Sequence, residues 1–310
     1  MRVDPRYSAK LAVSLAAVYL IWGSTFLFTK LAVTHLPIAL YTAVRFLTAG
    51  SLLALMARIF RHEEWPRRLI DWRHVLVTGF CMVFVSNGLN AWAMQYIATN
   101  ESALLNGTAA FWIAGLGVFG PRGHPLTRWA ILGLGIGFAG TALMLVPDGG
   151  LQRTSLLAEL GVLGACLAFA FGTLYFRSID TEVGSLMFMG MQLFCGGLML
   201  LIVALVHGDT ARWTFNAPGL IALTYLTLMS SCLGFTAYGW LMRHATPAVI
   251  GSYSYVNPAI AAFLGWWFLH ERLSHSQRVG MAVIIAGVSI LTIPGGSLTD
   301  PKTLGEPKTQ

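Results

Sequence analysis

The stretch Gly133–Gly149 reads GLGIGFAGTALMLVPDG, and Gly280–Gly296, 147 positions further on, reads GMAVIIAGVSILTIPGG. Gly133 falls on Gly280, Ala139-Gly140 on Ala286-Gly287, Pro147 on Pro294 and Gly149 on Gly296. Outward from these stretches, and without a gap, Leu126 falls on Leu273 and Ala98-Thr99 on Ala245-Thr246. One residue of slippage brings Trp92 onto Trp240, and an offset of 149 brings Gly23-Ser24 onto Gly172-Thr173. Glycine and proline dictate backbone geometry, so their coincidence marks a duplicated unit and not a shared apolar composition. The chain reads as two related halves.

The solvent of those halves follows from composition. Of 310 residues, 56% are hydrophobic and 11% charged, against about 25% charged in soluble domains. Too few charges remain to wet the surface of a soluble protein of this size. A spanning helix needs about 20 mostly apolar residues. Ten runs qualify, at about 11–33, 37–57, 74–97, 100–120, 128–146, 156–177, 184–206, 217–242, 247–269 and 276–294. The first is too long for a signal-peptide core and is read as a retained helix. The gaps are short except for the segment around 58–73, and no soluble domain fits. The division is a cytoplasmic segment 1–10, a first repeat 11–150, a second repeat 151–294, and a polar tail 295–310 expected to be disordered.

Ten spans put both termini on one side. With that side cytoplasmic, 14 Lys and Arg residues lie inside, among them Arg58, Arg61, Arg67, Arg68 and Arg73. Only four, Arg153, Arg212, Arg272 and Arg278, lie outside. The positive-inside rule therefore predicts cytoplasmic termini. The net charge of +7 is thus loop charge, not a nucleic-acid footprint. Five helices per half is an odd number, so the halves cross in opposite directions. The predicted fold is an all-α integral membrane protein of ten transmembrane helices in two inverted five-helix repeats. Inverted repeats are a hallmark of secondary transporters, with a substrate site near the midplane. Gly133, Gly137 and Gly140 share one helix face, and GxxxG spacing allows close helix approach. Helices 5 and 10 are therefore expected to pack together.

Short motifs add a family. They are Trp22-Gly23-Ser24-Thr25, Arg45-Phe46-Leu47, Ser252-Tyr253-Ser254-Tyr255-Val256-Asn257-Pro258 and Glu271-Arg272-Leu273. Their order and spacing resemble the drug/metabolite transporter superfamily, in particular its ten-helix EamA-type exporters, over nearly the whole chain. The resemblance implies a bacterial inner-membrane exporter of amino acids or similar small metabolites; a multidrug exporter is the alternative. One departure is visible. The family's Glu-x-Leu element after helix 4 reads here His124-Pro125-Leu126.

Polar groups inside a membrane are costly and face a cavity or a partner. Arg45 lies about eight residues, roughly 12 Å, into helix 2. Its guanidinium can hold a carboxylate through two hydrogen bonds. The alternative is a structural partner, such as Glu101 or backbone carbonyls. Lys30, nearer the outer end of helix 1, can snorkel to the interface. Pro258 is expected to loosen helix 9, and Tyr253 and Asn257 share a face beside it. Asn87, Asn90, Asn106 and Gln192 are further candidates for substrate contact, with Trp22 and Tyr238. Trp92, Trp112 and Trp240 are candidate contacts or interfacial anchors. Glu101 suits a helix N-terminus.

Other chemistries find little support. His270 and His275 are five apart, and a zinc-protease helix needs four. No GxSxG occurs, and Cys81, Cys166, Cys195 and Cys232 form no CxxC pair. Neither enzyme, cofactor nor metal is expected. A channel filter needs rings of repeated groups. The expected partners are a small-molecule substrate and the lipid bilayer, without nucleic acid, for a monomer or homodimer.

Overall fold

The computed structural model describes residues 5–96, 102, 105–119, 123, 126–145, 156–269 and 275–291. Among these, every regular element is helical. The helices are α1 (Pro5–His35), α2 (Ile38–Phe60), α3 (Leu69–Ala93), α4 (Leu105–Leu116) and α5 (Arg128–Leu145). They continue with α6 (Leu156–Ser178), α7 (Ser185–Val206), α8 (Ala217–His244), α9 (Pro247–Gly251 and Tyr253–Leu269) and α10 (His275–Leu291). Six of them, α1, α2, α3, α6, α7 and α8, are long and apolar enough to cross a membrane, and shorter apolar helices stand beside them. Glu101, His124-Pro125, Pro147, Gly149, His270-Glu271-Arg272-Leu273, Pro294 and Gly296 lie outside the described residues.

The boundaries have local causes. Pro37 precedes α2 in extended backbone, as a residue without an N–H should at a helix entrance. The Asn216 side chain caps α8 by accepting from the Gly219 N–H at 2.8 Å, and Pro218 occupies the first turn. Gly208 follows α7 with φ +67, the left-handed conformation that ends a helix and favours glycine.

Two helix pairs form the longest contacts, α2 with α7 and α5 with α10. Both rest on glycine. A Cβ on Gly190 would stand 2.6 Å from Ala54 N, and one on Gly197 would stand 2.8 Å from Leu47 N. As α2 advances, α7 recedes, so the pair is antiparallel. A Cβ on Gly287 would meet Gly137 N at 2.7 Å, and one on Gly140 would meet Ile284 N at 2.8 Å. That pair is antiparallel too. The expected packing of helices 5 and 10 is present, and α2–α7 is a second backbone-close contact of the same kind. Large apolar side chains such as Leu20, Ile59, Phe171, Ile202, Ile221 and Leu233 remain exposed around the periphery. An apolar exterior on helices with internally satisfied backbones is the surface that lipid requires.

Two helices are wound differently at mid-length. Gly79–Val85 in α3 and Leu226–Gly234 in α8 are π-helical. Leu226 lies 147 positions beyond Gly79, the offset of the sequence repeat. The wider turn leaves carbonyls needing new donors, and π segments are frequent at functional sites.

Helix α9 is interrupted at Ser252, not at Pro258 as expected. Helix runs through Pro258. With the restart at Tyr253, the proline falls in the second turn, and its ring displaces only a first-turn carbonyl.

Candidate functional site

A cavity of about 170 Å³ lies between α1, α2, α3, α4, α6, α8 and α9. Arg45 is the one charged side chain among its described lining residues. Arg45 is 7% exposed. Its Nε donates to Ser231 Oγ and its Nη2 to Ser230 Oγ, both at 2.8 Å. Those serines sit side by side on the π turn of α8. Nη1 has no acceptor among the described residues, and no described carboxylate pairs with Arg45. Charge-assisted hydrogen bonds contribute about 1.5–3 kcal/mol each, so the serines hold the group firmly. They do not neutralise it. Glu101, the other partner considered from sequence, lies outside the described residues.

The opposite wall is an amide ladder. Asn87 Nδ2 donates to the Met82 carbonyl at 2.8 Å, satisfying a group freed by the π turn of α3. Asn90 Nδ2 donates to Ser86 O at 3.1 Å, and Asn106 Nδ2 donates to Asn90 Oδ1 at 2.9 Å. This ties α4 to α3. Asn87 Oδ1 has no donor among the described residues, so it offers an acceptor to the cavity. The Asn257 amide, with its nitrogen turned to α1, donates to Tyr19 O at 3.3 Å and Tyr253 O at 3.1 Å.

Aromatic rings floor the cavity. The Trp22 ring lies 4.9 Å from Tyr238, 5.0 Å from Tyr253, 5.4 Å from Phe235 and 6.0 Å from Phe169, centre to centre. Trp22 Nε1 donates to Ser230 O at 3.3 Å, so the second π turn also finds its donor. Below the floor, Tyr19 and Ser252 share a hydroxyl hydrogen bond of 2.5 Å, and Tyr7 Oη donates to His244 O at 2.6 Å. Arg177 Nη1 donates to the carbonyls of Met242 and Ala245. This end of the bundle, where α8 meets α9, is closed.

Among the described residues, the other end is open. A larger space of about 840 Å³ shares Thr42 and Met94 with the cavity. It is lined by Lys30, Arg212 and Asp209, together with His35 and His207.

Profile comparison matches residues 10–146 and 156–293 to the EamA-like transporter family, one copy per half. The chain belongs to that family. This EamA-like protein is 30% identical over 282 residues to the uncharacterized inner membrane transporter YedA of Escherichia coli K12, across 90% of each chain. It is 25% identical over 282 residues to the uncharacterized transporter YvbV of Bacillus subtilis 168, again across 90% of each. A crystal structure superposes with a TM-score of 0.80 at 18% identity, covering 92% of this chain and 97% of the other. At that identity the likeness carries the fold alone. The EamA-like protein is thus a membrane transporter of small compounds.

Of the residues singled out in the sequence, Arg45, Asn87, Asn90, Asn106, Trp22, Tyr253 and Asn257 line one cavity of this EamA-like transporter. Tyr238 lies under the floor, fully buried, with its hydroxyl 2.9 Å from Thr173. Gln192 is buried on α7, and neither amide atom finds a partner among the described residues. Lys30 lines the larger space, Trp92 packs on Gly161, and Trp240 stacks on His244. Trp112 is 37% exposed. Sequence reasoning missed Ser230 and Ser231. Two adjacent hydroxyls in the middle of an apolar span were the available signal.

Proposed function

We propose that the protein exports small metabolites carrying a carboxylate, amino acids foremost, across the bacterial inner membrane. The observation that carries the proposal is Arg45: a buried cation in a cavity without a counter-anion among the described residues. A buried charge left unpaired costs several kcal/mol. A substrate carboxylate on the free guanidinium edge offsets that cost and gains a two-bond geometry. Asn87 Oδ1 supplies an acceptor for an amine. The cavity is smaller than the roughly 300–1,000 Å³ of drug-sized pockets, which favours a metabolite over an amphipathic drug.

The mechanism is alternating access between two inverted repeats, residues 11–150 and 151–294, forming ten spans with cytoplasmic termini. Two related halves whose equivalent helices, α2 with α7 and α5 with α10, run antiparallel support the inversion. The open end then faces outward, and the closed end, with Tyr7, Arg177 and His244, faces the cytoplasm. Substrate enters from the cytoplasm, is held by Arg45 and the Tyr253/Asn257 face, and leaves outward as the halves rock. It must bind the two states unequally to shift them.

Counterflow in proteoliposomes, with labelled amino acids and their decarboxylated analogues, tests the class. Exchange of a carboxylated compound that excess unlabelled compound suppresses is the expected result. Exchange of the decarboxylated amines at the same rate would overturn the carboxylate assignment.

A further inference from the structure

We infer that Ser230 and Ser231 set the charge selectivity of the site by cradling Arg45 without neutralising it, an inference that rests on the carboxylate reading above. A guanidinium has two edges that can each grip a pair of oxygens. Ser231 and Ser230 occupy the edge formed by Nε and Nη2, both at 2.8 Å. A carboxylate would fill the same edge from a single side chain, but it would cancel the charge. Two hydroxyls give the same hydrogen bonds and leave the charge whole. Arg45 lines the cavity, and no described group accepts from its Nη1, which leaves that side for a ligand.

The helix geometry makes this possible. Successive residues on an α-helix diverge by about 100°. The wider π turn across Leu226–Gly234 reduces that angle, so two neighbours present their hydroxyls to one flat group. Ser230 is held from behind as well, because its carbonyl accepts from Trp22 Nε1 at 3.3 Å. Ser230 and Ser231 are therefore positioning residues. They act on substrate through Arg45.

The test places a carboxylate in the cradle. Ser231→Asp pairs Arg45 internally, so the preference for a carboxylated substrate over its decarboxylated analogue in counterflow falls at least tenfold. Ser231→Ala raises KM for the carboxylated substrate several-fold with Vmax little changed, and Ser231→Thr, which keeps the oxygen, restores it. Unchanged charge preference in a folded Ser231→Asp variant, or an unchanged KM in Ser231→Ala, overturns the inference. Arg45→Ala, assayed alongside, separates the two claims. If it transports normally, the carboxylate reading fails. If it is inactive while Ser231→Asp and Ser231→Ala behave as wild type, only the cradle fails.

Discussion

Asn87 has two jobs on one amide. Its nitrogen satisfies the Met82 carbonyl at 2.8 Å, and its oxygen is left for a ligand. Asn87→Ala removes both. Losing the acceptor is worth about 1 kcal/mol in binding, so KM for an amino acid rises by about fivefold. KM for the matching keto acid, which has no amine, stays within about threefold. Paired counterflow titrations separate the two, and an equal rise for both acids would assign Asn87 a purely structural role. Arg45 and the asparagines were legible in the sequence because polar side chains in an apolar span are expensive and few. The serines were harder to read. A hydroxyl can satisfy itself on its own helix, so its presence in a span does not announce a partner across the bundle. Gln192 shows the reverse. It looks functional by the same cost argument, yet it sits between α7 and its neighbours, outside the cavity.

At the level of elements, the helices follow the apolar runs closely, because length and hydrophobicity decide whether a segment spans. Their interruptions were less legible. Asn257-Pro258 promised a break that occurs instead at Ser252, where a turn satisfies Tyr255 N–H from Ser252 O at 3.1 Å. The π turns in α3 and α8 leave no mark on hydrophobicity, since one added residue per turn shifts the apolar face without changing its composition. Only their recurrence at the repeat offset betrays them, and only in three dimensions. The α2–α7 contact was similarly hidden, because Gly50, Gly190 and Gly197 are dispersed over two distant helices. It makes a firm prediction. Gly190→Val drives a branched side chain into the α2 backbone beside Ala54, overpacking that costs about 1–3 kcal/mol. Melting in detergent should fall by several degrees, whereas Gly135→Val, with nothing within 4 Å of the added Cβ, should melt like wild type. Equal melting of the two variants would contradict close approach of α2 and α7.

For the whole molecule, the repeat, the charge bias and the antiparallel equivalent pairs support the proposed inverted topology with cytoplasmic termini. Glu64, exposed after α2, then faces the cytoplasm, and Thr214, exposed before α8, faces outward. In a cysteine-free background, Glu64→Cys should react with an impermeant thiol reagent only from the cytoplasmic side, and Thr214→Cys only from outside. The opposite pattern would invert the molecule, and with it the direction in which its open end faces. The all-helical membrane fold was legible from sequence because long apolar runs with few charges leave helices in lipid as the arrangement that satisfies the backbone. The closed end was not, since Tyr7, Arg177 and the carbonyls of 242–245 meet only through tertiary packing. The central claim is a carrier whose cavity holds a carboxylate on Arg45. Counterflow of the best carboxylated substrate into proteoliposomes, wild type against Arg45→Ala at equal folded protein, tests it most directly. The account predicts robust exchange in the wild type and loss of at least about a hundredfold in the variant, consistent with removal of a charge-assisted pair of hydrogen bonds; undiminished exchange by the variant would contradict it.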